Sequence, residues 1–215
     1  MQSFSDLATA AYCSRKLYYR RREDDYDPPP GVEAVRSLAF RYPELLAPDA
    51  DLDTVPIERS PTNYRSALGS AKARLDRWEE LVDPPERRVL LEGKDCRGVA
   101  HKLLSEPPAP AIVSTGSPPE RGVYEPQSVR ATAAAKALAW ERKRPVETAY
   151  VEYPAYGEIR RLRMTTRRKA RYRRTLRAAR SLDGPPPRLR NDDRCRACEY
   201  RDQCGTRSRS LRSLL

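Results

Sequence analysis

A cysteine constellation near one end constrains this chain most: Cys195-Arg196-Ala197-Cys198, followed after five residues by Cys204. Two thiolates separated by two residues can grip one metal centre from a tight turn, and a third can join from the next turn. A full shell takes four sulfurs, and Cys13 and Cys96 are the candidates for the fourth place. A fold that completes the shell must carry a distant part of the chain to this segment. Five cysteines are an odd number, and the opening stretch MQSFSDLATAAYCSRKLYYR lacks the long apolar run of a secretory signal. Reduced, metal-binding thiols therefore fit better than a disulfide framework. On spacing alone, zinc and an iron–sulfur centre are about equally well served.

Periodicity divides the rest into short pieces, punctuated by 20 prolines. Ser3 to Arg22 reads as one helix with Leu7, Ala8, Ala11, Tyr12, Leu17, Tyr18 and Tyr19 on its apolar face, ended by the run from Asp24 to Gly31. Val32 to Asp83 reads as helical, interrupted by a proline-containing loop. Arg87 to Leu104 predicts two adjacent antiparallel strands, and Ala109 to Ser114 a third. Gln127 to Arg142 is an alanine-rich helix by propensity. Thr148 to Tyr156 and Glu158 to Met164 form a strand pair turned at Gly157, and Thr165 to Leu182 returns to helix before a Gly-Pro-Pro-Pro break. The order predicts a single α/β or α+β domain over residues 1–215 with a small sheet.

Lys and Arg number 42 against 30 Asp and Glu, a net charge of +12, which favours a polyanionic partner, nucleic acid first. No apolar run approaches the roughly 18 residues that cross a bilayer, so the expectation is a soluble, cytoplasmic protein without a membrane partner. The charge is concentrated: from Ile159 to Leu182 there is no acidic residue. Arg160, Arg161, Arg163, Arg167, Arg168, Lys169, Arg171, Arg173 and Arg174 are read there as phosphate contacts, with Tyr172 available to stack on a base. This pattern does not separate DNA from RNA.

The Tyr-Cys-Ser-Arg-Lys-Leu-Tyr-Tyr motif at Tyr12 to Tyr19, taken with Cys195, Cys198 and Cys204 at the far end, resembles the CRISPR-associated RecB-like exonucleases, the Cas-four family. Tyr200, between the last two cysteines, adds to the likeness. The resemblance covers both ends and the order of elements between them, while Asp24 to Tyr64 has no counterpart. It implies a PD-(D/E)XK nuclease-like small mixed sheet flanked by helices. It also implies that a 4Fe–4S cluster on Cys13, Cys195, Cys198 and Cys204 joins residues 1–22 to residues 183–215, with zinc as the alternative. Cys96 then stands outside the set as a small buried residue. The partners implied are DNA, single-stranded or with frayed ends, and proteins of CRISPR adaptation or repair.

Nucleases of this kind place Asp at the end of one strand, Glu-x-Lys on the next and Gln-x3-Tyr on the following helix, because hydrolysis with a divalent metal needs hard oxygen ligands. The equivalent positions here are His101 for the Asp, Ser114 and Gly116 for the Glu-x-Lys pair, and Gln127 with Ala131 for the helix motif. The carboxylates are missing, so impaired nuclease chemistry is expected and a Mg²⁺ or Mn²⁺ site is not. His101, the sole histidine, is read as a strand residue facing a polar groove. Glu92-Gly93-Lys94 spells Glu-x-Lys but precedes the Asp-equivalent strand, so it is read as a charged turn. An active exonuclease would need relocated ligands, for which Asp95 and Glu106 are candidates.

Overall fold

The computed structural model describes residues 1–23, 29–189 and 192–205. A two-residue strand, β1 (Gln2–Ser3), leads into α1 (Phe4–Tyr12). Ser3 caps that helix, its hydroxyl accepting the Asp6 amide at 2.9 Å. The single helix expected to Arg22 is broken in two. Cys13 is extended, with φ −164° and ψ 118°, and α2 (Ser14–Arg20) starts after it. Arg20 and Arg21 fold back onto Asp6 at 2.6 and 3.0 Å, so the break is held by ion pairs between the two helices. The stretch expected to end the N-terminal helix falls partly outside the described residues.

The helical region before the sheet is four short helices: α3 (Val32–Leu38), α4 (Tyr42–Leu46), α5 (Pro61–Arg74) and α6 (Trp78–Val82). Then come β2 (Glu86–Glu92), β3 (Cys96–Leu104), β4 (Ala109–Val113), α7 (Glu125–Glu141), β5 (Thr148–Tyr153), β6 (Glu158–Arg163), α8 (Thr166–Arg180) and α9 (Asp192–Arg196). The strand pair ahead of α8 turns through a 3₁₀ segment and Gly157. That glycine is left-handed at φ 64°, and a Cβ there would meet the Tyr64 carbonyl oxygen at 2.9 Å.

The result is a mixed α/β protein with a six-stranded mixed sheet flanked by helices. β3 is antiparallel to β2 and to β4, β4 is parallel to β5 through the α7 crossover, and β6 returns antiparallel to β5. β2 occupies one edge of β3. On the other edge β1 pairs with Cys96 and Arg97, while β4 pairs only with Lys102 to Leu104. Side chains alternate across the sheet. Ile112 and Val151 join the core under α1, α7 and α8, whereas Ala111, Val113 and Tyr150 join the core under α3 to α6.

Candidate functional site

The head and tail of the chain meet. Tyr12 donates its hydroxyl to the Arg194 carbonyl at 3.0 Å, and Arg194 Nη1 donates to the Tyr12 carbonyl at the same distance. Arg15 Nη1 donates to the Pro186 carbonyl at 2.8 Å, and Lys16 pairs with Glu199 at 3.0 Å. The buried Tyr200 stacks on Tyr19 at 5.8 Å between ring centroids and donates to Glu23 Oε2 at 2.6 Å. Within this clasp Cys13, Cys195, Cys198 and Cys204 line one pocket, alongside Arg15, Lys16, Arg188, Arg194 and Arg201. The extended backbone at Cys13 interrupts the helix at the residue that reaches this pocket. All four thiols are half-buried, and none of the five cysteines is in a disulfide. Among the described residues no group of three or more His, Cys, Asp or Glu side chains is placed to hold a metal ion. Residues 206–215, expected to complete the clasp, lie outside the described residues.

Cys96 stands apart. It is buried under α7 and α8, its thiol 3.6 Å from the Ala133 carbonyl and accepting the Tyr172 hydroxyl at 3.2 Å. Burial pushes the Cys96 thiol up, against the lowering effect of that hydrogen bond.

The positions matching the nuclease motif also converge. Pairing between β3 and β4 ends at Lys102 and Ala111, so the Val113 amide has no strand partner on that side and donates instead to His101 Nδ1 at 3.2 Å. Gln127, in the first turn of α7, donates through Nε2 to Ser114 Oγ at 3.3 Å. Gly116 lies in the loop beyond, with open space where a side chain would project. The imidazole, expected to face a groove, is buried in the fork between the strands. Burial first, and then the cations of Arg130, Arg36, Arg88 and Lys102, push its pKa down to about 3, so it is neutral at pH 7 with its proton on Nε2. Among the described residues no carboxylate hydrogen-bonds to His101, Ser114 or Gln127. Asp95 pairs with Arg180 at 2.7 Å, Glu106 with Arg144, and Glu92 with Arg97 at 3.9 Å.

Along the basic segment the structure sorts the expected contacts. Tyr172 is buried, and its hydroxyl is committed to Cys96, so it packs the core instead of offering a ring to a base. Arg160 pairs with Glu158, Arg161 with Asp76 at 3.3 Å and Arg171 with Glu125 at 2.5 Å. Arg163, Arg167, Lys169, Arg173 and Arg174 are exposed, with no carboxylate partner among the described residues; Arg168 donates to the Arg163 carbonyl at 2.9 Å. The exposed cations of α8 lie opposite its buried strip of Tyr172, Leu176 and Ala179, as an amphipathic helix requires. Beside them runs a groove of about 440 Å³ over Ile159 and Leu162, edged by Arg74, Arg160, Arg161 and Arg168.

Lys102 and Glu152 are the polar pair that sequence reasoning passes over. Both are fully buried, 2.7 Å apart. Lys102 Nζ also donates to the Ala39 and Leu81 carbonyls, each at 2.6 Å. Three acceptors satisfy an ammonium group completely. The signal that could have found the pair is Glu152 as the sole charge of β5 and Lys102 beside the apolar end of β3, Leu103 and Leu104.

Against models of known protein families the chain matches none, and it matches no curated protein. Fold and sites together define a mixed α/β protein in which the α1–α2 break and residues 186–189 and 192–204 meet at a thiol-lined pocket and α8 carries a one-signed basic face. No helix among the described residues is long and apolar enough to cross a membrane.

Proposed function

We propose that this protein binds nucleic acid as an iron–sulfur-containing relative of the CRISPR-associated RecB-like exonucleases, with the metal-dependent nuclease chemistry impaired. One observation carries the reading: Cys13, which the resemblance selects over Cys96, lines the same pocket as Cys195, Cys198 and Cys204. The strand order supports it, since three antiparallel strands, a helix and a parallel strand place His101, Ser114 and Gln127 around one fork where a nuclease of that class carries its carboxylates.

Four thiolates are a soft donor set suited to a 4Fe–4S cluster or to zinc. The donor set serves either centre, and the choice of the cluster over zinc rests on the resemblance. The cluster's negative charge would sit among the five cations lining the pocket. The cluster would tie the tail of the chain to the α1–α2 break, so its binding energy would also be folding energy. The exposed arginines of α8 and the adjacent groove would take the phosphates of a DNA strand, single-stranded or at a frayed end. A role beside CRISPR adaptation or repair proteins, in the cytoplasm, rests on the resemblance.

The test combines anaerobic purification, iron, sulfide and zinc analysis, and incubation of labelled single strands with Mg²⁺ or Mn²⁺. Four iron and four sulfide per chain, strand binding and no cleavage are expected. Stoichiometric zinc would replace the cluster, and metal-dependent cleavage would show an exonuclease with relocated ligands.

A further inference from the structure

Around His101 the nearby charges are cations, Arg130, Arg36, Arg88 and Lys102. The pairing of Arg87 with Lys102 and of Val89 with Ala100 sets Arg88 opposite His101, and Arg88 is left-handed at φ 52°, a conformation a long side chain adopts only under constraint. Glu33 links Arg88 to Arg36, pairing with the first and lying 3.6 Å from the second. Arg130 follows Gln127 by three residues on α7 and so projects from the same face. It has no carboxylate partner among the described residues, and its Nε is sealed from water without an acceptor, as is Arg36 Nε, while Gln127 Oε1 is sealed without a donor. Burial and the nearby Arg36 push the Arg130 guanidinium down to about 10. Three arginines against one carboxylate, around a neutral ring, leave uncompensated charge in a partly dry site.

We propose that Arg36, Arg88 and Arg130 form a metal-free phosphate clamp at the fork between β3 and β4, seating a phosphate of a bound nucleic-acid strand. Guanidinium forks match phosphate oxygens in pairs, so the anion supplies the acceptors the chain withholds. Ser114 and Gln127 close the far side as neutral hydrogen-bonding groups. This inference rests on the nucleic-acid reading above and adds a second contact point distinct from α8.

The experiment uses the full chain and the variants Arg130→Met, Arg88→Ala and Arg167→Ala/Arg173→Ala/Arg174→Ala. Binding of 5′-phosphorylated and unphosphorylated single strands is followed by fluorescence anisotropy. Thermal melting is followed with inorganic pyrophosphate against chloride at matched ionic strength. Arg130→Met and Arg88→Ala should each weaken strand binding about tenfold or more and abolish the pyrophosphate-induced rise in Tm. Without ligand, Arg130→Met should melt no lower than the native chain, because it removes an uncompensated cation. Should that variant fail to fold, Arg88→Ala decides, its side chain being mostly exposed. If both variants match the native chain in both assays while the α8 variant loses strand binding, the clamp is overturned and the nucleic-acid reading stands. If the native chain binds no strand but pyrophosphate stabilises it through Arg130, the clamp is supported as a phosphate site and the nucleic-acid reading fails.

Discussion

Lys102 Nζ lies 2.7 Å from Glu152 Oε2 across β4, both side chains fully enclosed between the sheet and the α3–α6 helices. The two residues stand on strands that flank β4, and Ala111, the small residue beside Lys102, leaves room for the ammonium to cross. The same ammonium holds the carbonyls of Ala39 and Leu81, so one cation pins the end of α3 and the end of α6 to the sheet. Removing one partner of such a pair leaves a buried uncompensated charge. Lys102→Met should therefore destabilise the protein by about 3–5 kcal/mol, while Lys102→Met combined with Glu152→Leu should recover much of the loss. Denaturant unfolding of the three chains measures this, and a double variant as unstable as the single one would refute the pairing energetics.

His101 makes stability depend on pH in a definite direction. Its folded pKa of about 3 lies below the ordinary 6.5, so the unfolded chain binds the proton more readily. The stabilisation is fully present above pH 6.5 and is lost as the pH falls toward 3. The loss should reach roughly 2–3 kcal/mol near pH 4.5. Asn at this position offers its side-chain oxygen to the Val113 amide without a titrating group. The difference in stability between His101→Asn and the native chain should accordingly shrink on acidification, and a constant difference from pH 7 to 4 would exclude this account.

The thiol pocket makes a selective forecast. Cys13→Ser and Cys198→Ala should each bleach the visible absorbance of anaerobically purified protein and lower its Tm. Cys96→Ala, which removes a thiol buried under α7 and α8 and absent from that pocket, should keep the colour. Absorbance surviving in either of the first two variants would remove that cysteine from the ligand set.

For the basic face, the sensitive quantity is the salt dependence of binding. Replacing Arg167, Arg173 and Arg174 with Ala should reduce the slope of log affinity against log salt by about 2, since each contact to a single strand contributes about 0.7. The loss should be similar for all sequences, because phosphates carry no base identity. Isothermal titration at several salt concentrations reads the slope directly, and an unaltered slope would place the strand elsewhere.

Gly157 offers a check on the sheet itself. Ala there would take a left-handed conformation and bring its Cβ against the Tyr64 carbonyl oxygen, at a cost of about 1–3 kcal/mol. Thermal denaturation that shows no loss would mean the turn relaxes freely.

Local signals located the strands from Arg87 to Val113, the alanine-rich helix, the hairpin at Gly157 and α8 to within a few residues, because period-2 and period-3.6 patterns are properties of neighbouring side chains. They missed the break at Cys13, since the ion pairs from Arg20 and Arg21 to Asp6 that hold it span a full reversal of the chain. Tyr172 looked available because its neighbours are cationic, yet the buried strip of α8 faces Cys96, and only packing decides which side of a densely charged helix turns inward.

By itself, then, the sequence determined the spacing of three thiols, the single sign of the basic run and the succession of elements, all of them encoded within a few residues. Only the tertiary structure brought Cys13 into one pocket with the tail thiols, buried Lys102 against Glu152, and drew Arg36, Arg88 and Arg130 around His101. Each of these meetings joins residues from separate elements. Their proximity follows from how the sheet splays and which face each helix covers, and no local pattern carries that information.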